Sequence, residues 1–210
     1  MERIPVILIQ IAVLIFAVIV HEICHGYVAY KLGDPTAKNA GRLTFNPLPH
    51  IDPFMSILLP AFLIFSGAPF IIGGAKPVPV NPAYFADHRK GMMMVSAAGS
   101  GSNFALAAIS IGLLKLVAGI PALISPGLVY ILQYMIIINV VLAVFNLLPI
   151  PPLDGSKILT GFLPDRAVYT YQKIEPYGMW IIIILLMFGI LRMILMPVFY
   201  LLQQIMNFIM

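Results

Sequence analysis

The apolar run from Ile4 to Val20 has Gln10 as its one polar residue, and it leads directly into His21-Glu22-Ile23-Cys24-His25. Backbone inside lipid must satisfy its own hydrogen bonds, so such a run has to be a helix. On a helix, residues four apart share a face, one turn from each other. His21 and His25 can therefore aim two imidazoles at one metal ion, as the pattern H-E-x-x-H does. Glu22 lies roughly 100° round from His21 and one turn from His25. Its carboxylate can reach a metal-bound water without being a ligand, the position of a general base. Ionisable residues at membrane depth are costly and mark function by default. The bland alternative is a polar helix end among headgroups.

The rest of the chain fits a membrane setting. Of its 210 residues 61% are hydrophobic and 10% charged, where a soluble domain carries about a quarter charged. The apolar runs are continuous, not alternating, which indicates helices and not a barrel. The net charge of +4 is spread between the runs and reads as loops on the cytoplasmic side, not a nucleic-acid surface. A single cysteine, Cys24, excludes an intramolecular disulfide. Only Arg3 precedes the first run as a basic residue, and no small-x-small site follows before the histidines. A retained helix is expected there, not a signal peptide.

The expected architecture is an all-α polytopic membrane protein in one domain, residues 1–210. Four full spans are predicted at 5–32, 92–117, 128–148 and 177–196, with 197–210 an interfacial helix or an extension of the last. Residues 55–72 are apolar but broken by Pro60 and Ser66-Gly67-Ala68-Pro69, and are predicted to re-enter without crossing. Arg42–Phe45 and the proline-rich segment around Pro77–Val80 are expected to be short β-like stretches. With a re-entrant 55–72, nine Lys and Arg residues share the face where the first span ends, and Arg3, Lys115 and Arg192 lie opposite. Positive charge accumulates inside, so the N-terminus is expected outside and the histidines toward the cytoplasm.

Catalytic zinc takes three protein ligands and leaves one position open. Asp154 is the best third ligand: it follows a proline-broken span, and broken backbone at this depth is tolerated where it lines a cavity. The competing reading makes Asp154-Gly155 an ordinary turn.

His21-Glu22-Ile23-Cys24-His25-Gly26 in a first span, with Asn146-x-x-Pro149-x-x-Pro152-Leu153-Asp154-Gly155 later, resembles the site-2 protease family of intramembrane zinc metalloproteases. Gly41-Arg42-Leu43-Thr44-x-Asn46-Pro47-Leu48-x-His50-Ile51-Asp52-Pro53 and Ala75–Pro82 resemble its compact bacterial branch without a PDZ domain. Ser100 and Ser156 depart from the usual proline and glycine. The resemblance implies one Zn²⁺ held by His21, His25 and Asp154, Glu22 as the base, and Asn146 holding the scissile carbonyl or the oxyanion. Membrane-anchored proteins are the implied substrates, cut near the cytoplasmic side. The two extended segments, through Leu43, Phe45, Val78 and Val80, could pair with an unwound substrate by strand addition; a structural hairpin over the site is the other reading. Short loops suggest regulation by a membrane partner.

Cys24 turns away from the metal, His50 reads as a loop-bonding residue, His88 as a solvated junction and Asn103 as an interhelical hydrogen-bonding residue. A metal transporter, or an inactive relative that only binds substrate, is the competing function. A transporter has no need of Glu22 between its ligands, and an inactive relative would have lost one of these groups.

Overall fold

The computed structural model describes residues 3–67 and 73–209. It is all-α, and no β-strand occurs among the described residues. Four helices are long and apolar enough to cross a membrane: α1 (Arg3–Lys31), α4 (His88–Ala118), α5 (Pro126–Asn146) and α9 (Ile190–Ile209). Shorter helices connect them: α2 (Thr36–Asn39), α3 (Leu59–Phe65), α6 (Asp154–Phe162), α7 (Asp165–Gln172) and α8 (Gly178–Met187).

Helix α4 is the hub, packed on α1, α5 and α6. Its buried face reads Ser96, Gly99, Ser100, Asn103, Ala107, Ser110 and Leu114, spaced three or four apart as one helical stripe requires. These small residues let neighbouring backbones approach closely. On α1, Val13, Ala17 and His21 are buried at four-residue spacing, so the first histidine continues a packing stripe. Asp87 caps α4, its carboxylate accepting the N–H groups of Arg89 and Lys90 at 3.0 Å each.

Asp52 caps a wide π-type turn over Pro53–Leu58 that runs into α3. Gly74 then donates its N–H to Met55 O at 3.1 Å, and Ser56 Oγ donates to Gly74 O at 2.6 Å. The segment thus returns to its starting level, as a re-entrant one must; residues 68–72 of the expected stretch lie outside the described residues.

Two expectations change. The expected span 177–196 is two helices, broken at Phe188 and at Gly189, whose φ is +70°. Ten-residue α8 is roughly 15 Å long, too short to cross, and its Ile182 packs on Leu153 and Leu191. Helix α9 makes the passage, since Leu202 joins Leu114, Val117, Leu132 and Ile136 at the opposite end. Composition hid the break, because hydropathy is unchanged through a glycine. Arg42–Phe45 is not a strand, because its polar groups are used locally. Arg42 N–H goes to Ala37 O at 3.0 Å, and Thr44 O takes His50 Nε2 at 2.9 Å. Pro77–Val80 is extended but pairs with no ladder, since prolines 77 and 79 lack the donor.

Candidate metal centre

Two turns of α1 and the first residue of α6 build the site. His21 Nδ1 lies 2.6 Å from Asn103 Oδ1, and His25 Nδ1 lies 2.7 Å from the carbonyl of Val95. Oxygens of this kind only accept, so each Nδ1 carries the proton and each Nε2 presents a lone pair. The two Nε2 atoms are 2.9 Å apart, and Asp154 Oδ2 sits 3.2 Å from the first and 3.1 Å from the second. Asp154 Oδ2 is buried and accepts no hydrogen bond. Three lone-pair atoms facing one another with no proton between them repel unless a cation is shared.

Ligands 2.0–2.1 Å from a tetrahedral zinc are about 3.3 Å apart, close to these separations. The donor set therefore fits Zn²⁺. Asp154 gets there because the chain leaves the helix after Asn146. Prolines 149, 151 and 152 prevent a helix until α6 begins, and Gly155 lies where any Cβ would strike the carbonyl of Leu147. Gly99 forms the floor: a Cβ there would lie 2.5 Å from His25 Nε2 and 2.7 Å from His21 Cε1.

Glu22 Oε2 accepts the N–H of Val78 at 2.7 Å. The strap carrying Val78 is fixed on both sides: Arg42 Nη2 donates to Lys76 O, Lys76 N–H to His50 O at 2.8 Å, and Asn81 N–H to Asp34 Oδ2 at 2.7 Å. Beneath it lies a cavity of about 270 Å³ lined by the three metal-facing residues, Glu22, Val78, Val80 and Asn146, with exposed Lys157 at its edge. Asn146 Nδ2 donates to Leu142 O at 3.0 Å.

The family model for Peptidase family M50 matches residues 9–189, most of the chain and all five residues just described as metal-facing, acidic or amide groups. The chain belongs to peptidase family M50.

This M50 peptidase is 41% identical over 176 residues to the "Putative zinc metalloprotease YwhC" of Bacillus subtilis, covering 82% of this chain and 77% of that one. It is 29% identical over 189 residues to the "Putative zinc metalloprotease Rip2" of Mycolicibacterium smegmatis, covering 89% and 69%. The Rip2 of Mycobacterium tuberculosis is 29% identical over 167 residues, covering 79% and 60%. No solved structure matches the chain at a significant level.

Within this M50 peptidase the geometry brings together His21, His25 and Asp154 with Glu22 and Asn146 beside them, and leaves Cys24 out of the cluster. Val78 and Val80 line the cavity, whereas Leu43 packs near Gly26 and Phe45 is 69% exposed, away from it. His50 is a buried loop-bonding residue, and His88 is exposed. Asn103 does bridge helices, but onto a metal-facing imidazole. Gly99 and Asn139 were not singled out by sequence for this site. Their signals, a glycine at a stripe position and an amide in an apolar span, are common for packing reasons alone.

Proposed function

We propose that this membrane zinc metalloprotease cleaves membrane-anchored proteins near the cytoplasmic side of the bilayer, with zinc held by His21, His25 and Asp154. The observation that carries this reading is the convergence of two imidazole lone pairs and a buried carboxylate oxygen beside Glu22. Zinc, when bound, polarises the attacking water and the scissile carbonyl. Glu22 takes the water proton and delivers it to the departing amine, so that water and one peptide bond become a carboxylate and an amine. Asn146 lines the same cavity and keeps one amide hydrogen for the carbonyl oxygen as negative charge develops on it. The Asp154 carboxylate offsets half the formal charge of the dication, which matters where charge is poorly solvated.

Val78 and Val80 are the residues best placed to meet an unwound substrate. The whole chain acts as one membrane domain. Cytoplasmic orientation of the site is supported by charge: Arg192, in the first turn of α9, joins the end of the bundle where α1 finishes. Ten of the twelve Lys and Arg residues then share that end, against Arg3 and Lys115.

The test compares wild type with Glu22→Gln on a panel of single-span membrane substrates in lipid, with zinc measured in both. Zinc content should be unchanged and cleavage should fall by about 10²- to 10⁴-fold. Equal cleavage removes Glu22 from the mechanism. Undiminished zinc in His21→Ala and Asp154→Ala removes the site.

A further inference from the structure

Behind His21 runs a directed chain of two amides. Asn139, on α5, donates from Nδ2 to the carbonyl of Met135 at 2.9 Å. Its Oδ1 is thereby left to accept Asn103 Nδ2, on α4, at 2.8 Å. The same Nδ2 also reaches Ala17 O on α1 at 3.4 Å. Asn103 Oδ1 in turn faces His21 Nδ1 at 2.6 Å. Both amides are 0% exposed, so no water competes for their groups.

The direction of this chain is not free. A backbone carbonyl can only accept, so Met135 O fixes which end of Asn139 is NH₂. That fixes Asn103, because its NH₂ must meet the Asn139 oxygen. Asn103 then offers His21 an acceptor and nothing else. A His21 protonated at Nε2 would set a lone pair against that oxygen and push an N–H into the metal cluster. His25 is fixed separately by Val95 O.

We propose that Asn139 and Asn103 act as a pair of positioning residues that lock His21 in the Nδ1–H tautomer with its Nε2 lone pair turned to zinc. This rests on the zinc reading of His21, His25 and Asp154. Partners of this kind, outside the ligands, change metal affinity by about 10- to 100-fold when removed. Asn139 does so without touching the ligand, through Asn103 alone. Two amides that served only as glue between helices would stabilise the bundle and leave zinc affinity unchanged.

Zinc affinity of the purified full chain in detergent micelles is measured by competition with a chromophoric chelator, and unfolding is followed on the zinc-free protein. Asn103→Leu should weaken zinc binding about 10- to 100-fold. Asn139→Leu should weaken it less, and the double variant should bind as Asn103→Leu does. Asn139→Asp, which keeps an acceptor for Asn103 Nδ2, should restore near-wild-type affinity. Losses that add in the double variant overturn the relay, as does wild-type zinc affinity in Asn103→Leu or Asn139→Leu alongside a lower unfolding temperature. If Asn103→Leu fails to fold, Asn139→Leu against Asn139→Asp decides the matter. Wild-type affinity in His21→Ala would sink the zinc reading itself, a result distinct from either.

Discussion

The backbone N–H of Val78 holds Glu22 Oε2 at 2.7 Å, so the proposed proton carrier is oriented by a segment 56 residues away. Hydrogen bonds to a charged group contribute about 1.5–3 kcal/mol. Val78→Pro deletes the donor while suiting the extended backbone that precedes Pro79. Turnover should fall about 10- to 100-fold with zinc content unchanged. Val78→Ala, which keeps the N–H, should retain turnover. Both are read by steady-state cleavage of one substrate.

Gly99 and Gly101 give a matched pair on one helix. A Cβ at Gly99 would collide with both imidazoles, whereas nothing lies within 4 Å of one at Gly101. Gly99→Ala should cut zinc affinity by about tenfold or more, as expected when ligand orientation is disturbed. Gly101→Ala should be silent in the same chelator titration.

Asp34 should make the fold acid-sensitive. Burial pushes its carboxyl up, but hydrogen bonds from the Thr36 hydroxyl and from the Asn81 and Thr36 N–H groups outweigh that and hold it below its ordinary value of 3.8. A group depressed in the folded state stabilises fully above its unfolded pKa and loses this as pH falls through the folded value. The wild type should therefore lose stability below about pH 4 more steeply than Asp34→Asn. Near neutrality Asp34→Ala should cost about 1–3 kcal/mol by orphaning three donors. Thermal unfolding in micelles across pH checks both.

Removing the metal should destabilise the wild type and leave ligand variants unaffected. Zinc that binds only the folded chain adds about 2.7 kcal/mol at a hundredfold excess over its Kd. A chelator should lower the wild-type unfolding temperature to that of Asp154→Ala, which should not move.

Much of this was legible in the sequence because membrane burial makes polar residues informative. His21, Glu22, His25 and Asp154 stand out where nearly every neighbour is apolar, and charge counting indicated that residues 55–72 turn back. What was hidden depends on backbone geometry. Gly189 ends α8 without any change of hydropathy. Arg42–Phe45 had strand-forming residues, but its polar groups found local partners instead. Asn103 was visible as an interhelical residue, yet only three-dimensional register tells which atom it meets.

The two histidines take their outer partners from α4, while the carboxylate comes with α6. A chain inserted from its N-terminus can thus complete the imidazole half of the centre once α1 and α4 have paired. The acidic half is added only after synthesis has passed residue 154. Competence to hold the ion therefore coincides with docking of the later half of the protein, and a nascent chain halted before that point carries an unfinished, inert pair of imidazoles.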